Sequence, residues 1–450
     1  MPDIVTLVDE GLGNSSYLVD LGDRRALVVD PTRDPAGYLA AAGGRGLDVA
    51  YSADTHLHAD FVSGGGELAA LGATVVAPAA AGLETPHRGM ADGDELDLGG
   101  LTLRALATPG HTPEHLAYLL LDGQRPVALF SGGSLLVGSA ARTDLVSPDR
   151  TEELARSLWR SLHERVLTLP DDLPVLPTHG AGSLCSTAAG SDRATTIGRE
   201  RASNPLLAAP DEDAFVALLL AGLGSYPPYF LRLREVNRRG PAVHGPVTPD
   251  LRPLGPADVR RRAEGGAVVV DARPVEAFAA GHVPGSLSIP LRPAFATWLG
   301  WLVPDGAPLV FVLDAAQDRA DVVRQARKVG YERLDGELAG GMAAWRAAGL
   351  PETRTALVAP DQLGSRRVLD VRQEAEVAAG RIPGARHVEL GRLGAVADLP
   401  AGGVAVVCGH GERAMTGASV LERRGVPDVA VLAGGMEAWD RHARSVAGVR

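Results

Sequence analysis

What most constrains this chain is a repeat in its second half. VVVDARPVEAFAAGHVPG, beginning at Val268, lies over RVLDVRQEAEVAAGRIPG, beginning at Arg367, without a gap. Asp271 then pairs with Asp370, Arg273 with Arg372, and Pro284-Gly285 with Pro383-Gly384. Further on, Gly340-Gly341-Met342 and Trp345 match Gly434-Gly435-Met436 and Trp439. A period of roughly a hundred residues seen twice means tandem domains, because solenoid units run to ~20–50 residues. Each copy alternates short Val/Ile-rich runs with amphipathic stretches, which predicts an α/β fold on a parallel sheet. Two Pro/Gly-rich stretches, 239–256 and 351–360, read as linkers. The domains expected are therefore 1–240, 255–352 and 358–450.

The first segment has another rhythm. Paired apolar runs, SSYLVDL with ALVVD and LTLRALA with LAYLLL, read as hairpins, and helical stretches such as EELARSLWRSLHERVLTL are interspersed. A sheet-rich α/β sandwich is expected there. With 45% apolar and 22% charged residues, the whole chain has the composition of a globular protein. The net charge of -11 comes from scattered acids, and the absence of a basic stripe argues against nucleic acid as a partner. Two cysteines, Cys185 and Cys408, exclude a disulfide scaffold and fit a reducing compartment. No apolar run approaches the ~18 residues that would suggest a membrane span. The opening Met1-Pro-Asp-Ile-Val lacks the features of a secretion signal, so a cytoplasmic location is expected.

VAVVCGHGERAMTGASVLERRG carries the most chemistry. A buried strand ends at Cys408, a Gly-containing loop follows, and a helix begins near Arg413. Loop amides and a helix N-terminus present positive potential, which favours a thiolate and would stabilise a persulfide anion. Arg413 can add a fixed charge for an anionic substrate, and Gly409, His410, Gly411 and Glu412 form the loop that would hold it. The segment resembles rhodanese sulfurtransferases, in which such a cysteine takes up sulfane sulfur and passes it on. Related cysteine phosphatases have one more residue between Cys and Arg, so the Cys408-x4-Arg413 spacing favours sulfur. The same interval counted back from Gly340 reaches Asp314, which cannot form a persulfide. The middle copy is thus expected to be an inactive rhodanese-like domain.

In the first segment, histidines follow predicted strands: Asp54-Thr-His56-Leu-His58-Ala-Asp60-Phe61, Thr108-Pro-Gly-His111-Thr112, and His179 after Leu173-Pro-Val-Leu-Pro-Thr178. Imidazoles gathered at one sheet edge make a site for zinc or iron, and His56 and His58 can face one cation together. The segment resembles the metallo-β-lactamase superfamily, over roughly residues 1–200. The implied fold is an αββα sandwich. With rhodanese domains behind it, it looks most like the persulfide dioxygenase branch. That resemblance implies one iron held by two histidines, His56 and His111 by position, and an aspartate. The aspartate falls on Gly133, and a histidine expected after Asp60 is Phe61. Three readings stay open: a site of His56, His58 and His111 holding iron or zinc, which is the one adopted; a weak or empty site in a binding domain; or another acid, such as Asp60, completing the set. Gly133→Asp is expected to raise iron affinity. His115 is expected at the surface, with a place behind the ligands as the alternative, and Cys185 is expected to be structural.

The resulting expectation is a sulfur-metabolism enzyme that oxidises the persulfide of a low-molecular-weight thiol and transfers sulfur through Cys408, with sulfite or thiosulfate as partner and a homo-oligomeric state. The rivals are a glyoxalase II-type thioester hydrolase and a sulfur carrier or sensor.

Overall fold

Period-two alternation along the strand Leu116–Asp122 organises the first part of the molecule. Tyr118 and Leu120 point one way and join Tyr17, Val19, Leu103 and Phe130 in one core. Ala117, Leu119 and Leu121 point the other way and join Leu158, Leu162, Phe215 and Leu219 in a second. A strand buried on both faces belongs to a sheet sandwiched between layers. In the computed structural model, which describes residues 2–186, 191–398 and 402–448, this is what forms.

Two six-stranded sheets stack face to face. The first runs Ile4–Asp9, Asn14–Gly22, Arg25–Val29, Asp48–Ala53, Thr74–Pro78, Arg88–Met90. The second runs Thr195–Thr196, Pro174–Pro177, Arg125–Gly132, Leu116–Asp122, Leu101–Ala107, Glu95–Asp97. Helix Ala36–Gly43 covers the outer face of the first sheet, where its Tyr38 and Ala42 meet Leu18, Ala26 and Val28. Helices Thr151–Glu164 and Glu212–Ala221 cover the second. The αββα sandwich expected from the sequence is therefore present.

One compact unit comprises Met1–Thr248 with Arg324–Gly330, and another Pro249–Val323 with Tyr331–Arg450. The second unit holds both copies of the repeat. Each copy is a five-stranded sheet, and all its pairings are parallel. Their strand orders match: Pro253–Leu254, Leu334–Leu338, Leu309–Val312, Val268–Asp271, Leu287–Ser288, and Ala356–Val358, Val429–Leu432, Val404–Val407, Arg367–Asp370, Arg386–His387.

The repeated Asp-x-Arg has a structural cause. Arg273 donates to Asp271 at 2.6 Å and to the Gly281 carbonyl at 2.9 Å, and Arg372 does the same with Asp370 (2.7 Å) and Gly380 (2.7 Å). Each buried pair ties a strand end to the loop ahead of the Pro-Gly turn. The repeated Gly-Gly is also explained. Gly435 has φ +55°, and a Cβ there would stand 2.3 Å from the Cys408 carbonyl oxygen. Only glycine lets the last helix begin directly beneath the cysteine loop.

Candidate functional site

Strand ends place the histidines. His56 and His58 follow the strand Asp48–Ala53, His111 follows Leu101–Ala107, Gly133 follows Arg125–Gly132, and His179 follows Pro174–Pro177. The loops are laced together by backbone bonds, from Leu116 N to Thr55 O at 2.9 Å and from Thr178 N to Gly132 O at 3.0 Å. Isolated bridging between Asn14 and His179 adds a further tie.

Ligand atoms of His56, His111 and His179 all lie within 4.8 Å of one another, and all three side chains are buried. Their hydrogen bonds decide which nitrogen faces the shared space. Thr55 donates its hydroxyl proton to Asp30 at 2.9 Å, so its oxygen is left to accept from His56 Nδ1 at 2.8 Å. His111 Nδ1 donates to the Arg142 carbonyl at 2.6 Å. That carbonyl belongs to a residue whose guanidinium is fixed on Asp144 at 2.7 and 2.8 Å. His179 Nδ1 lies 3.2 Å from Asn14 Oδ1 and 3.4 Å from Asp60 Oδ2, both acceptors. Each imidazole therefore carries its hydrogen on Nδ1 and presents Nε2 as a lone pair. The buried Nε2 atoms of His56 and His179 have no hydrogen-bond partner. Burial, followed by the neighbouring imidazoles, holds His56 and His111 well below the usual imidazole range and keeps them neutral. Neutral, oriented imidazoles with unpartnered nitrogens are what a metal ion requires.

His58 stands beside His56 with ring centroids 4.3 Å apart, and its buried Nδ1 has no hydrogen-bond partner. It groups with Asp30 and Asp54, 3.1 and 3.6 Å from their carboxylates. Burial alone would lower it, but the Asp30 carboxylate, with Asp54, pushes it up to about 10. Asp30 is the hub: besides His58, it accepts from the Thr55 amide at 2.7 Å, from the Thr55 hydroxyl and from the Thr178 hydroxyl. The structure thus adds His179 to His56 and His111, and His58 stands alongside with its Nε2 held by Asp30 and Asp54.

Asp60 Oδ2 accepts from Asn14 at 2.6 Å, and Asp60 groups with His179 and Cys185. His115, expected at the surface, is 1% exposed; its Nε2 accepts from the Gly133 amide at 2.9 Å, and burial lowers it to about 3. Phe61 stacks on His58 with ring centroids 4.2 Å apart. Asn237, which no motif signals, donates to the carbonyls of His58 (2.8 Å) and Phe61 (2.9 Å) and holds the whole loop. Burial pushes the Cys185 thiol well up.

The cysteine loop is the other place with chemistry. Cys408 is 1% exposed at the end of the strand Val404–Val407, and the Gly411 amide donates to its Sγ at 3.1 Å. The helix Glu412–Arg423 starts immediately after. Arg413 makes a two-armed pair with Glu376 at 2.6 and 2.7 Å, so its charge is already matched. In the middle copy the corresponding loop closes on itself. Gln317 accepts from the Asp314 amide at 2.8 Å and donates to Ala272 O at 2.7 Å, while Arg319 ties the carbonyls of Asp314 and Gln317.

Fold and histidine cluster together define a metallo-β-lactamase-type domain with a group of histidines that could hold a metal ion, joined to a pair of parallel-sheet α/β domains. The family described as the metallo-beta-lactamase superfamily matches residues 9–183, and the rhodanese-like domain family matches residues 255–348 and 354–442. Mitochondrial persulfide dioxygenase ETHE1 of Bos taurus is 31% identical over 198 residues, 43% of this chain and 71% of the bovine protein. The Homo sapiens protein is 31% identical over 208 residues, 45% of this chain and 75% of its own length. A crystal structure described as a metallo-beta-lactamase from Staphylococcus aureus superposes with a TM-score of 0.68 at 27% identity, covering 75% of this chain and 99% of that one. The chain belongs to the persulfide dioxygenase family of the metallo-beta-lactamase superfamily and carries two rhodanese-like domains behind that domain. It is an enzyme of sulfur metabolism. No helix among its described residues is long and apolar enough to cross a membrane.

Proposed function

We propose that the first domain oxidises the persulfide of a low-molecular-weight thiol to sulfite, and that Cys408 transfers sulfane sulfur as a persulfide. The overall oxidation balances as R–S–SH + O2 + H2O giving R–SH and sulfurous acid. The observation that carries the reading is the convergence of three Nδ1-protonated imidazoles, His56, His111 and His179, with their Nε2 atoms turned to a common space. These residues would hold an iron ion, which when bound supplies the redox chemistry that joins dioxygen to sulfur. Thr55, Arg142 and Asn14 fix the three rings from behind, and Asp30 in turn fixes Thr55. Phe61, stacked on His58, stands where a two-metal thioester hydrolase would be expected to carry a further histidine, which favours one metal over two. In the last domain, the Gly411 amide donates to Cys408 Sγ and a helix start lies beside it, positive potential that suits an anionic persulfide.

The test is metal analysis with oxygen uptake on the purified full chain. A single iron per chain, with oxygen consumed and sulfite formed in equal amounts from a thiol persulfide, supports the reading. Two metals with thioester hydrolysis would overturn it.

A further inference from the structure

A cavity of about 360 Å³ opens beside the cysteine loop within the second unit, and both copies of the repeat line it. The last domain contributes His410, Gly411 and Glu412; the middle copy contributes Pro274, Glu276, Leu291 and Arg292 among others. That volume lies in the range of pockets that take small organic molecules. The charges are distinctive. Arg413, the cation of the cysteine loop, is held by Glu376. Arg292 is half-buried in the cavity wall, and no carboxylate is in ion-pair contact with it among the described residues. Facing the same space are two carboxylates, Glu276 and Glu412, while His410 is paired outward to Glu437 at 3.1 Å. Leu291, Leu357 and Val431 supply an apolar wall.

From this we infer that the cavity is a donor site for an amino-acid-type thiol persulfide, with its carboxylate on Arg292 and its ammonium toward Glu276 and Glu412. One unpaired guanidinium, two acids and an apolar strip match the two charged ends and the short methylene body of such a molecule. The copy that lost its own nucleophile thereby selects the substrate for the copy that kept it. This rests on sulfur transfer by Cys408, as proposed above. In the step itself, the Cys408 thiolate attacks the outer sulfur of R–S–SH. The S–S bond breaks, the thiol leaves with the electron pair and takes up the persulfide proton, and Cys408 keeps the sulfane sulfur. Sulfite then removes that sulfur as thiosulfate and restores the thiolate, with no external oxidant or reductant.

The experiment follows thiosulfate formation from sulfite, without oxygen, by the full chain supplied with persulfides of cysteine, cysteamine (no carboxylate) or 3-mercaptopropionate (no ammonium). The wild type is expected to prefer cysteine persulfide over both. Arg292→Ala is expected to lower the cysteine-to-cysteamine ratio of kcat/KM about tenfold, the scale of one charge-assisted contact, with Arg292→Lys restoring part of it. Glu276→Gln is expected to lower the cysteine-to-mercaptopropionate ratio. Equal use of the three donors by the wild type, or equal loss on all three in Arg292→Ala, would overturn the inference while leaving transfer by Cys408 intact. Retention of transfer by Cys408→Ser would instead overturn the reading on which it rests.

Discussion

A Cβ at Gly133 would stand 2.5 Å from Cδ2 of His111. The backbone there is not left-handed, so the obstacle is the imidazole itself, which occupies the room a side chain would take. Restoring an aspartate at 133 therefore cannot simply add a ligand, contrary to what the resemblance alone implies. Both Gly133→Asp and Gly133→Ala are expected to lower bound iron at least tenfold by displacing the His111 ring, measured by metal analysis after gel filtration. A stable Gly133→Asp protein with more iron than the wild type would show that the His111 loop yields.

His179→Ala is expected to lower metal content as severely as His56→Ala or His111→Ala, since each removes one of three converging nitrogens. Titration of the three apoproteins with Fe(II) checks this. Unchanged binding in His179→Ala would exclude it from the set.

His58→Ala has a different expected outcome: loss of stability. It strips the buried counter-charge from Asp30 and Asp54, and uncovering one partner of a buried ion pair costs about 3–5 kcal/mol. Urea unfolding of the metal-free protein isolates this effect, and a change under about 1 kcal/mol would contradict the ion-pair role.

Cys408→Ser is expected to abolish sulfite-dependent transfer with the fold retained, because a hydroxyl cannot hold sulfane sulfur. Asp314→Cys, placed in that background, is expected to recover nothing. The Gln317 amide, at the place of Gly411, donates to the Asp314 carbonyl at 3.2 Å, so the new thiol would lack the donor found beside Cys408. Thiocyanate formation from thiosulfate and cyanide reads both.

Much of this was legible in the residues. The repeat announced two like sheets, and Cys408 was legible as the end of a strand with a glycine loop and a helix behind it. Histidines at strand ends announced the buried imidazole cluster. What the chain order hid was pairing. His56 and His58 look equivalent in His-Leu-His, yet only contacts decide that one meets Thr55 and the other Asp30. Asp30 itself sits in Val-Val-Asp-Pro, which reads as an ordinary strand end. Arg413 reads as a free cation until Glu376, distant in sequence, is seen against it. Arg292 belongs to no motif, and only the cavity wall picks it out.

Asp30 binds Thr55 and His58 on one side and Thr178 on the other, and His179 follows directly. During synthesis these partners leave the ribosome far apart in time, with Thr178 and His179 last. A nascent chain that has emerged only through the Ser-Gly-Gly-Ser turn carries two of the three imidazoles, and its Asp30 still lacks its final donor. The imidazole cluster is therefore complete only once the strand Pro174–Pro177 and the two residues after it are in place.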